Sequence, residues 1–367
     1  MDRSGTTRFT GQRRRLSGRR DCWIPDRHRK RRDGQSPSIP GRPFHHQYYQ
    51  KNQGAGMIIV TGGAGFIGSN LVKGLNQMGE EKILIVDHLS NASKHLNLNR
   101  LRYSDYLDKE LLLEKLPSLP EPKVIFHQGA CSDTTESDGR YMMDNNYEYS
   151  KTLLHYAMDG KIPFLYASSA SVYGNGTNGF SEIPESEFPL NVYGFSKFSF
   201  DNYVRRFLPE AQSQIVGLRY FNVYGPQETH KGRMASVAFH LFHQLRKGGS
   251  MNLFEGSEGF RRDFIHVQDT IRINLHFLES GKSGIFNAGT GKARSFTAIG
   301  ECLREIEGSG ELKSIPFPDD LRGKYQEFTE ADTTRLREAG YEEEFLSLEE
   351  GIRLYHKMLS ENGGFHL

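Results

Sequence analysis

Cysteine is scarce in this chain. Its 367 residues contain three, Cys22, Cys131 and Cys302, far apart and without a Cys-x-x-Cys pair. That spacing excludes a disulfide framework and a cysteine-based zinc site, and it fits a reducing compartment. No apolar run approaches the roughly 20 residues needed to cross a bilayer. The N-terminus also lacks the apolar centre of a secretory signal. The expectation is a cytoplasmic protein with no membrane partner and no metal.

Charge of one sign is missing from the whole but not from its parts. The formal net charge is +2, yet residues 1–56 carry 14 Lys+Arg against 4 Asp+Glu, which leaves 33 against 41 for the rest. The first 56 residues are rich in Arg, Ser, Gly and Pro and show no apolar period, so they are expected to form a disordered basic extension. Their phosphate-binding potential and an Arg-rich transit signal are alternatives. The reading adopted is a non-native start, with Met57 as the natural first residue. A nucleic-acid partner is not expected, and the pair His45-His46 has no further ligands nearby.

From Met57 the pattern changes. The β-branched run Met57-Ile58-Ile59-Val60 leads directly into Thr61-Gly62-Gly63-Ala64-Gly65-Phe66-Ile67-Gly68. A helical period follows, with Phe66, Ile67, Leu71, Val72 and Leu75 on one face. Strand, glycine turn and helix in this order form a dinucleotide site. Gly62 permits the turn, Gly65 lets the backbone approach a pyrophosphate, and Gly68 lets helix and strand pack closely. Lys82-Ile83-Leu84-Ile85-Val86-Asp87 reads as a second strand ending in an acid, which favours the ribose hydroxyls of NAD. His88, Lys94 and Lys109 could instead receive the 2′-phosphate of NADP, so the residues alone leave that choice open. Further strands near 124–127, 164–167 and 215–218 alternate with helices near 139–158 and 191–207, which implies a parallel sheet covered on both faces. Tyr141, Tyr147, Tyr149 and Tyr156 are expected to pack against it.

Tyr193 and Lys197 stand four residues apart, hence on one helix face. A free phenol with a pKa of about 10 is a weak base at neutral pH. A nearby ammonium and a positive nicotinamide would bring it into range. Ser169, in Ala167-Ser168-Ser169-Ala170-Ser171-Val172-Tyr173-Gly174, is placed to hydrogen-bond the substrate oxygen.

The Gly-x-x-Gly-x-x-Gly spacing with Tyr-x-x-x-Lys resembles the short-chain dehydrogenase/reductase superfamily. Arg219-Tyr220-Phe221-Asn222-Val223-Tyr224-Gly225-Pro226, Arg261-Arg262-Asp263 and Phe286-Asn287-Ala288-Gly289 are similar to landmarks of its extended branch, which acts on nucleotide sugars. Ala170 and Ser171 stand where the dehydratases of that branch carry an Asp-Glu pair, which points away from dehydration. Glu228-Thr229-His230-Lys231-Gly232-Arg233, Tyr141-Met142-Met143-Asp144-Asn145-Asn146, Pro189-Leu190-Asn191-Val192-Tyr193 and Leu253-Phe254-Glu255-Gly256-Ser257 closely resemble the ADP-L-glycero-D-manno-heptose 6-epimerase family. The likeness extends from Met57 almost to the C-terminus.

This resemblance implies a Rossmann-type α/β fold, a doubly wound parallel sheet over 57–222 with a smaller, mainly C-terminal substrate domain over 223–367 that sends segments back to the Rossmann domain. It implies inversion of C6 of ADP-heptose, a lipopolysaccharide inner-core precursor, with tightly bound NADP, in a homopentamer. Tyr193 and Lys231 would be the two proton-transfer groups, assisted by Ser169 and Lys197. Phe66, Ile67, Asp87, His88, Lys94, Lys109, Gln128, Gly129, Ala130, Cys131, Ser132, Asn145, Lys197 and Lys231 would hold the cofactor. Asn222, Arg233, His240, Phe254, Glu255, Gly256, Ser257, Arg262 and Tyr325 would hold the substrate, with Arg262 on the diphosphate. Arg219 stays open between a ligand contact and a structural ion pair. Arg233 replaces a small residue and is expected to add charge to the pocket. The alternative is a UDP-hexose 4-epimerase, which would not need Lys231.

Overall fold

Strand β1 (Met57–Thr61) lies in the interior of the sheet, paired on both edges, and is apolar on both sides. In the computed structural model, which describes residues 56–317 and 326–366, Ile58 and Val60 face one layer of core and Ile59 the other. Residues 1–55 of the basic extension and Tyr325 lie outside the described residues. Seven parallel strands run in the order β10-β6-β5-β4-β1-β2-β3. They are β1, β2 (Ile83–Asp87), β3 (Asp105–Asp108), β4 (Pro122–His127), β5 (Phe164–Ser169), β6 (Ile215–Tyr220) and β10 (Gly284–Ala288). The five strands expected from the sequence are all present. The edge strand β3 was not foreseen, because Asp105-Tyr106-Leu107-Asp108 has no apolar run.

Helices cover both faces, as an all-parallel sheet requires. On one face α1 (Phe66–Gln77) packs through Leu71, Val72 and Leu75 beside Ile271 and Leu275 of a later helix, Val267–Ser280. On the other, Leu153, Leu154 and Ala157 meet Phe200 and Val204 over Ile125, Phe164 and Tyr166. The single helix expected near 139–158 is three pieces: α2 (Gly139–Met143), a π-helical turn Asp144–Glu148, and α3 (Tyr149–Asp159). Next comes α4 (Val192–Arg205), which carries Tyr193 and Lys197.

After Phe221 the chain leaves the sheet, returning to it with the helix Val267–Ser280 and β10. β7 (Asn222–Tyr224) pairs with β9 (Arg261–His266), which pairs with β11 (Ala293–Ser295); β8 (Ser250–Phe254) pairs with β12 (Glu311–Ile315). These strands share a separate core of Leu241, Phe242, Phe264, Phe296, Ile352 and Tyr355. Among the described residues, no helix is long and apolar enough to cross a membrane.

The order β3-β2-β1-β4-β5-β6 puts a topological switch between β1 and β4, where a crevice opens at the carboxyl ends of the strands. Backbone meets backbone there. Gly62 has φ +67°, and a side chain on it would lie 2.7 Å from the Gly129 nitrogen. A Cβ on Gly68 would lie 2.1 Å from the Gly62 carbonyl oxygen. Gly68→Ala is therefore expected to push α1 off the turn, lowering the melting temperature and releasing bound dinucleotide. Thermal melts and the cofactor content of the purified variant check this outcome.

Candidate active site

The glycine turn is braced from below by an acid. Asp87 is almost fully buried at the end of β2. Its Oδ2 accepts the Ala64 N–H at 2.9 Å, and its Oδ1 accepts the His88 N–H at 2.7 Å and the Lys94 ammonium at 2.5 Å. The same carboxylate thus holds the turn and pairs Lys94. Helix α1 begins at Gly65 with no side-chain cap and no acid in its first turn. Its leading N–H groups and partial positive charge are therefore available to a pyrophosphate. This donor set, with the two Cβ-free approaches at Gly62 and Gly68, fits a dinucleotide.

Beside the brace is a hollow of about 580 Å³ lined by His88, Tyr106, Asp108, Lys109, Glu110 and Tyr141. Tyr147, Tyr149 and Tyr156 pack on the core as expected, whereas Tyr141 is exposed and lines this hollow. The Lys109 ammonium donates to Asn145 Oδ1 at 2.8 Å. A larger hollow of about 770 Å³ runs along Leu98, Leu101, Tyr103 and Tyr106 and contains none of the expected site residues.

Residues 128–132 follow β4 and form the far wall of the crevice. The Gln128 side chain turns inward, accepting the Tyr220 hydroxyl at 2.9 Å. Gly129 N–H donates to Thr61 Oγ1 at 3.1 Å. Asn146 grips Cys131 at both backbone atoms, Cys131 N–H to Oδ1 at 2.8 Å and Nδ2 to the Cys131 carbonyl at 2.9 Å. Asn146 is fully buried in the π-helical turn and was not singled out from the sequence. Its signal was the pair Asn145-Asn146 in an otherwise amphipathic helix, since polar groups inside a core need partners.

Helix α4 and strand β5, which carry Tyr193, Lys197 and Ser169, meet beside this crevice. Tyr193 is half-buried, and burial raises its phenol above the ordinary value while a hydrogen bond with Ser169 partly offsets the rise. Lys197 is buried and donates to the Ala167 carbonyl at 2.8 Å. Burial lowers its pKa to about 8, with the charges of Asp201 and Cys131 acting in the opposite direction. The expected activation of the phenol by Lys197 is not the dominant influence here. Burial is, and it favours a protonated Tyr193.

Lys231 lies on a one-turn segment, Thr229–Met234, interrupted at Gly232 with φ +54°. Its ammonium sits 5.2 Å from the centre of the Phe66 ring, at the start of α1. Burial lowers its pKa and Glu228 opposes the shift. The segment is anchored on all sides. Glu228, fully buried, accepts Ser236 N–H at 2.6 Å and the Tyr355 hydroxyl at 2.9 Å. Asn91 donates to the His230 carbonyl at 3.0 Å, and Asn97 donates to the Ala64 carbonyl at 2.9 Å and the Gln227 carbonyl at 3.2 Å. Gln227 takes a left-handed φ of +77° and donates its own N–H to the Gly364 carbonyl at 2.8 Å. Arg233 points outward to Asp133 at 3.2 Å and to Thr135. Its charge is compensated from across the crevice, not added to the pocket as expected.

The remaining expected residues belong to the second lobe. Asn222 is on β7, accepting the Thr329 hydroxyl at 3.4 Å, and His240 approaches the Arg233 carbonyl at 3.3 Å. Phe254 ends β8 and meets the Phe317 ring at 5.4 Å. Glu255 donates its N–H to Ile315, and Gly256 turns the chain with φ +81° before Ser257. Arg262 is buried on β9 with its guanidinium 5.7 Å from the Phe296 ring centre. Arg219, left open between two roles, is fully buried between Asp201 and Glu187 and is a structural ion-pair partner.

The sequence model of the NAD dependent epimerase/dehydratase family matches residues 58–289. A curated ADP-L-glycero-D-manno-heptose-6-epimerase from Brachyspira hyodysenteriae is 58% identical over 316 residues, covering 84% of this chain and 99% of that protein. The crystal structure of a Helicobacter pylori ADP-L-glycero-D-manno-heptose-6-epimerase superposes with a TM-score of 0.73 at 32% identity, covering 83% of this chain and 96% of the other. A Thermotoga maritima UDP-glucose 4-epimerase crystallised with UDP-glucose gives 0.72 at 31%, covering 83% and 98%.

One titration can be tested without turnover. His127 is buried under the crevice between Thr61 at 2.7 Å and Ser150 at 2.8 Å, and burial with the Lys197 charge lowers its pKa from 6.5 to about 3. The unfolded chain takes up a proton there below pH 6.5 and the folded chain does so near pH 3, so acid favours unfolding across that window. This histidine alone contributes a loss of about 1.4 kcal/mol per pH unit once the unfolded group is protonated. His127→Gln is expected to flatten the fall in stability between pH 6 and pH 4, as read by denaturant melts at each pH.

Proposed function

The chain belongs to the NAD dependent epimerase/dehydratase family, and we propose that it is an ADP-L-glycero-D-manno-heptose 6-epimerase, interconverting the D-glycero and L-glycero forms at C6. The observation that carries this reading is the Lys231 ammonium held over Phe66 at the start of the dinucleotide helix, where it would serve as a second proton-transfer group. Inversion needs two such groups, one for each face of the carbon, and the 58% identical relative bears the same activity in its name.

Tyr193 and Lys231 share the proton work. In one direction one of them takes the proton from the C6 hydroxyl; after the resulting 6-keto group has turned, the other returns a proton to oxygen. Bound NADP supplies the hydride acceptor and donor for C6, so there is no net redox change. Ser169 holds the substrate oxygen through the hydroxyl that also contacts Tyr193. Lys197, protonated below about pH 8, fixes the end of β5 through Ala167 and keeps a positive charge behind the phenol. Burial lowers the Lys231 pKa toward the working range of a general acid–base.

NADP is favoured over NAD in this proposal because Lys94 and the Ala64 N–H already occupy Asp87, and because His88 and Lys109 line the adjoining hollow. Gln128 to Ser132 and Asn145 would line the rest of the cofactor site. Asn222, Arg233, His240, Phe254 to Ser257, Arg262 and Tyr325 are the proposed sugar-nucleotide contacts. A cytoplasmic, ring-like homo-oligomer completes the proposal, and native mass spectrometry reads its stoichiometry.

The deciding experiment denatures the purified protein, identifies the released cofactor by mass, and follows ADP-D-glycero-D-manno-heptose by NMR with the holoenzyme. Interconversion at C6 without added cofactor is expected; inertness together with turnover of a UDP-hexose would overturn the reading. Tyr193→Phe is expected to slow inversion at least about 100-fold while retaining cofactor, and Lys231→Met to do likewise. A wild-type rate in either variant removes that residue from proton transfer.

A further inference from the structure

Helix α4 touches strand β5 at three successive turns, and only two of those contacts belong to the reaction proposed above. Tyr193 meets Ser169, and Lys197 meets the Ala167 carbonyl at 2.8 Å. The third residue of the same face, four further on, is Asp201. Its carboxylate accepts the Ser168 hydroxyl at 2.9 Å on Oδ2 and the Tyr166 hydroxyl at 2.9 Å on Oδ1. All four consecutive residues from Tyr166 to Ser169 are therefore held by one stripe of the catalytic helix.

Asp201 is itself pinned. Arg219 Nε donates to Oδ2 at 2.9 Å, from the position on β6 directly opposite Ser168. That guanidinium also meets Glu187 and the Tyr173 hydroxyl, and Tyr173 donates to Asn287 at 2.6 Å. Asp201 and Arg219 are both fully buried. Room for the Tyr166 hydroxyl comes from Gly217, where a Cβ would lie 2.4 Å from it. A buried ion pair is a costly way to gain stability, and apolar residues of similar volume often do as well. What it supplies is geometric definition and a fixed charge.

We propose that Asp201 is a positioning residue for the reaction: pinned by Arg219, it sets the register of Tyr193 against Ser169 and sustains the ammonium of Lys197. The proposal rests on the roles assigned above to Tyr193 and Lys197. Among the groups that act on Lys197, Asp201 faces it from its own helix, the Ala167 carbonyl from β5, Cys131 from the loop after β4, and His127 from β4. Asp201 is the carboxylate in this set, and it opposes the fall in Lys197 pKa that burial causes.

The test uses holoenzyme in three forms: wild type, Asp201→Asn and Ser168→Ala. kcat and KM for ADP-heptose are measured from pH 6 to pH 10, and Lys197 is titrated by NMR of ε-¹³C-lysine, assigned with Lys197→Arg. In Asp201→Asn the Lys197 titration and the alkaline limb of kcat are expected to move down by about one pH unit, because an opposite charge has been removed. In Ser168→Ala, which removes an anchor and no charge, kcat is expected to fall about tenfold with KM within about threefold and the alkaline limb unmoved. A folded Asp201→Asn with an unmoved Lys197 titration overturns the proposal. If Asp201→Asn does not fold, a wild-type kcat in Ser168→Ala overturns it and the tenfold fall supports it. Wild-type inertness toward ADP-heptose would defeat the assigned substrate, while the Lys197 titration would still decide the role of Asp201.

Discussion

Backbone packed against backbone at the end of β1 is the constraint on which the active site depends. The Gly62 carbonyl lies where any side chain on Gly68 would be, and the Gly129 nitrogen lies where any side chain on Gly62 would be. These approaches bring three segments together: the start of α1, the end of β1 and the loop after β4. The first offers N–H groups to phosphates, and the last carries Cys131 and Ser132. A wider turn would separate them and leave room for water between a pyrophosphate and its donors. Asp87 then fixes the turn by accepting Ala64 N–H, so the second strand helps to hold what the first strand builds.

Much of this was legible beforehand, for identifiable reasons. β1, β2, β4, β5 and β6 are buried on both faces, so their apolar runs stand out against any background. The Gly62–Gly68 turn and the Tyr193–Lys197 pair depend on local spacing, which a sequence displays directly. What was not legible depends on partners far away in the chain. Asp87 reads as an acid at a strand end until the Ala64 N–H, 23 residues earlier, is found bonded to it and makes it a brace for the glycine turn. Arg233 reads as charge added to a pocket until Asp133, 100 residues earlier, is found facing it. Asn146 looks like one polar residue among several until its two bonds to Cys131 appear. Strand β3 escaped because an edge strand with one solvated side needs no apolar run.

The distribution of charge follows a similar logic. The ionisable groups nearest the proposed chemistry, Tyr193, Lys197 and Lys231, are all shifted by burial toward their neutral forms. Those behind them, Arg219, Asp201, Glu187 and Arg205, are joined in ion pairs. The site therefore sets groups whose proton affinity is shifted by burial against an ionic frame. Perturbed groups commonly cluster where proton transfer occurs, and here the frame explains how they stay in place.

The anchoring of the Lys231 segment has a further consequence. Gln227 is held with a left-handed backbone that costs a residue with a side chain on the order of 1 kcal/mol. It is kept there by contacts to Asn97 and Gly364, while neighbouring Glu228 is held by Ser236 and Tyr355. Loss of any one of these contacts leaves the strain of the bend to the rest, so the seating of Lys231 depends on residues that never touch it.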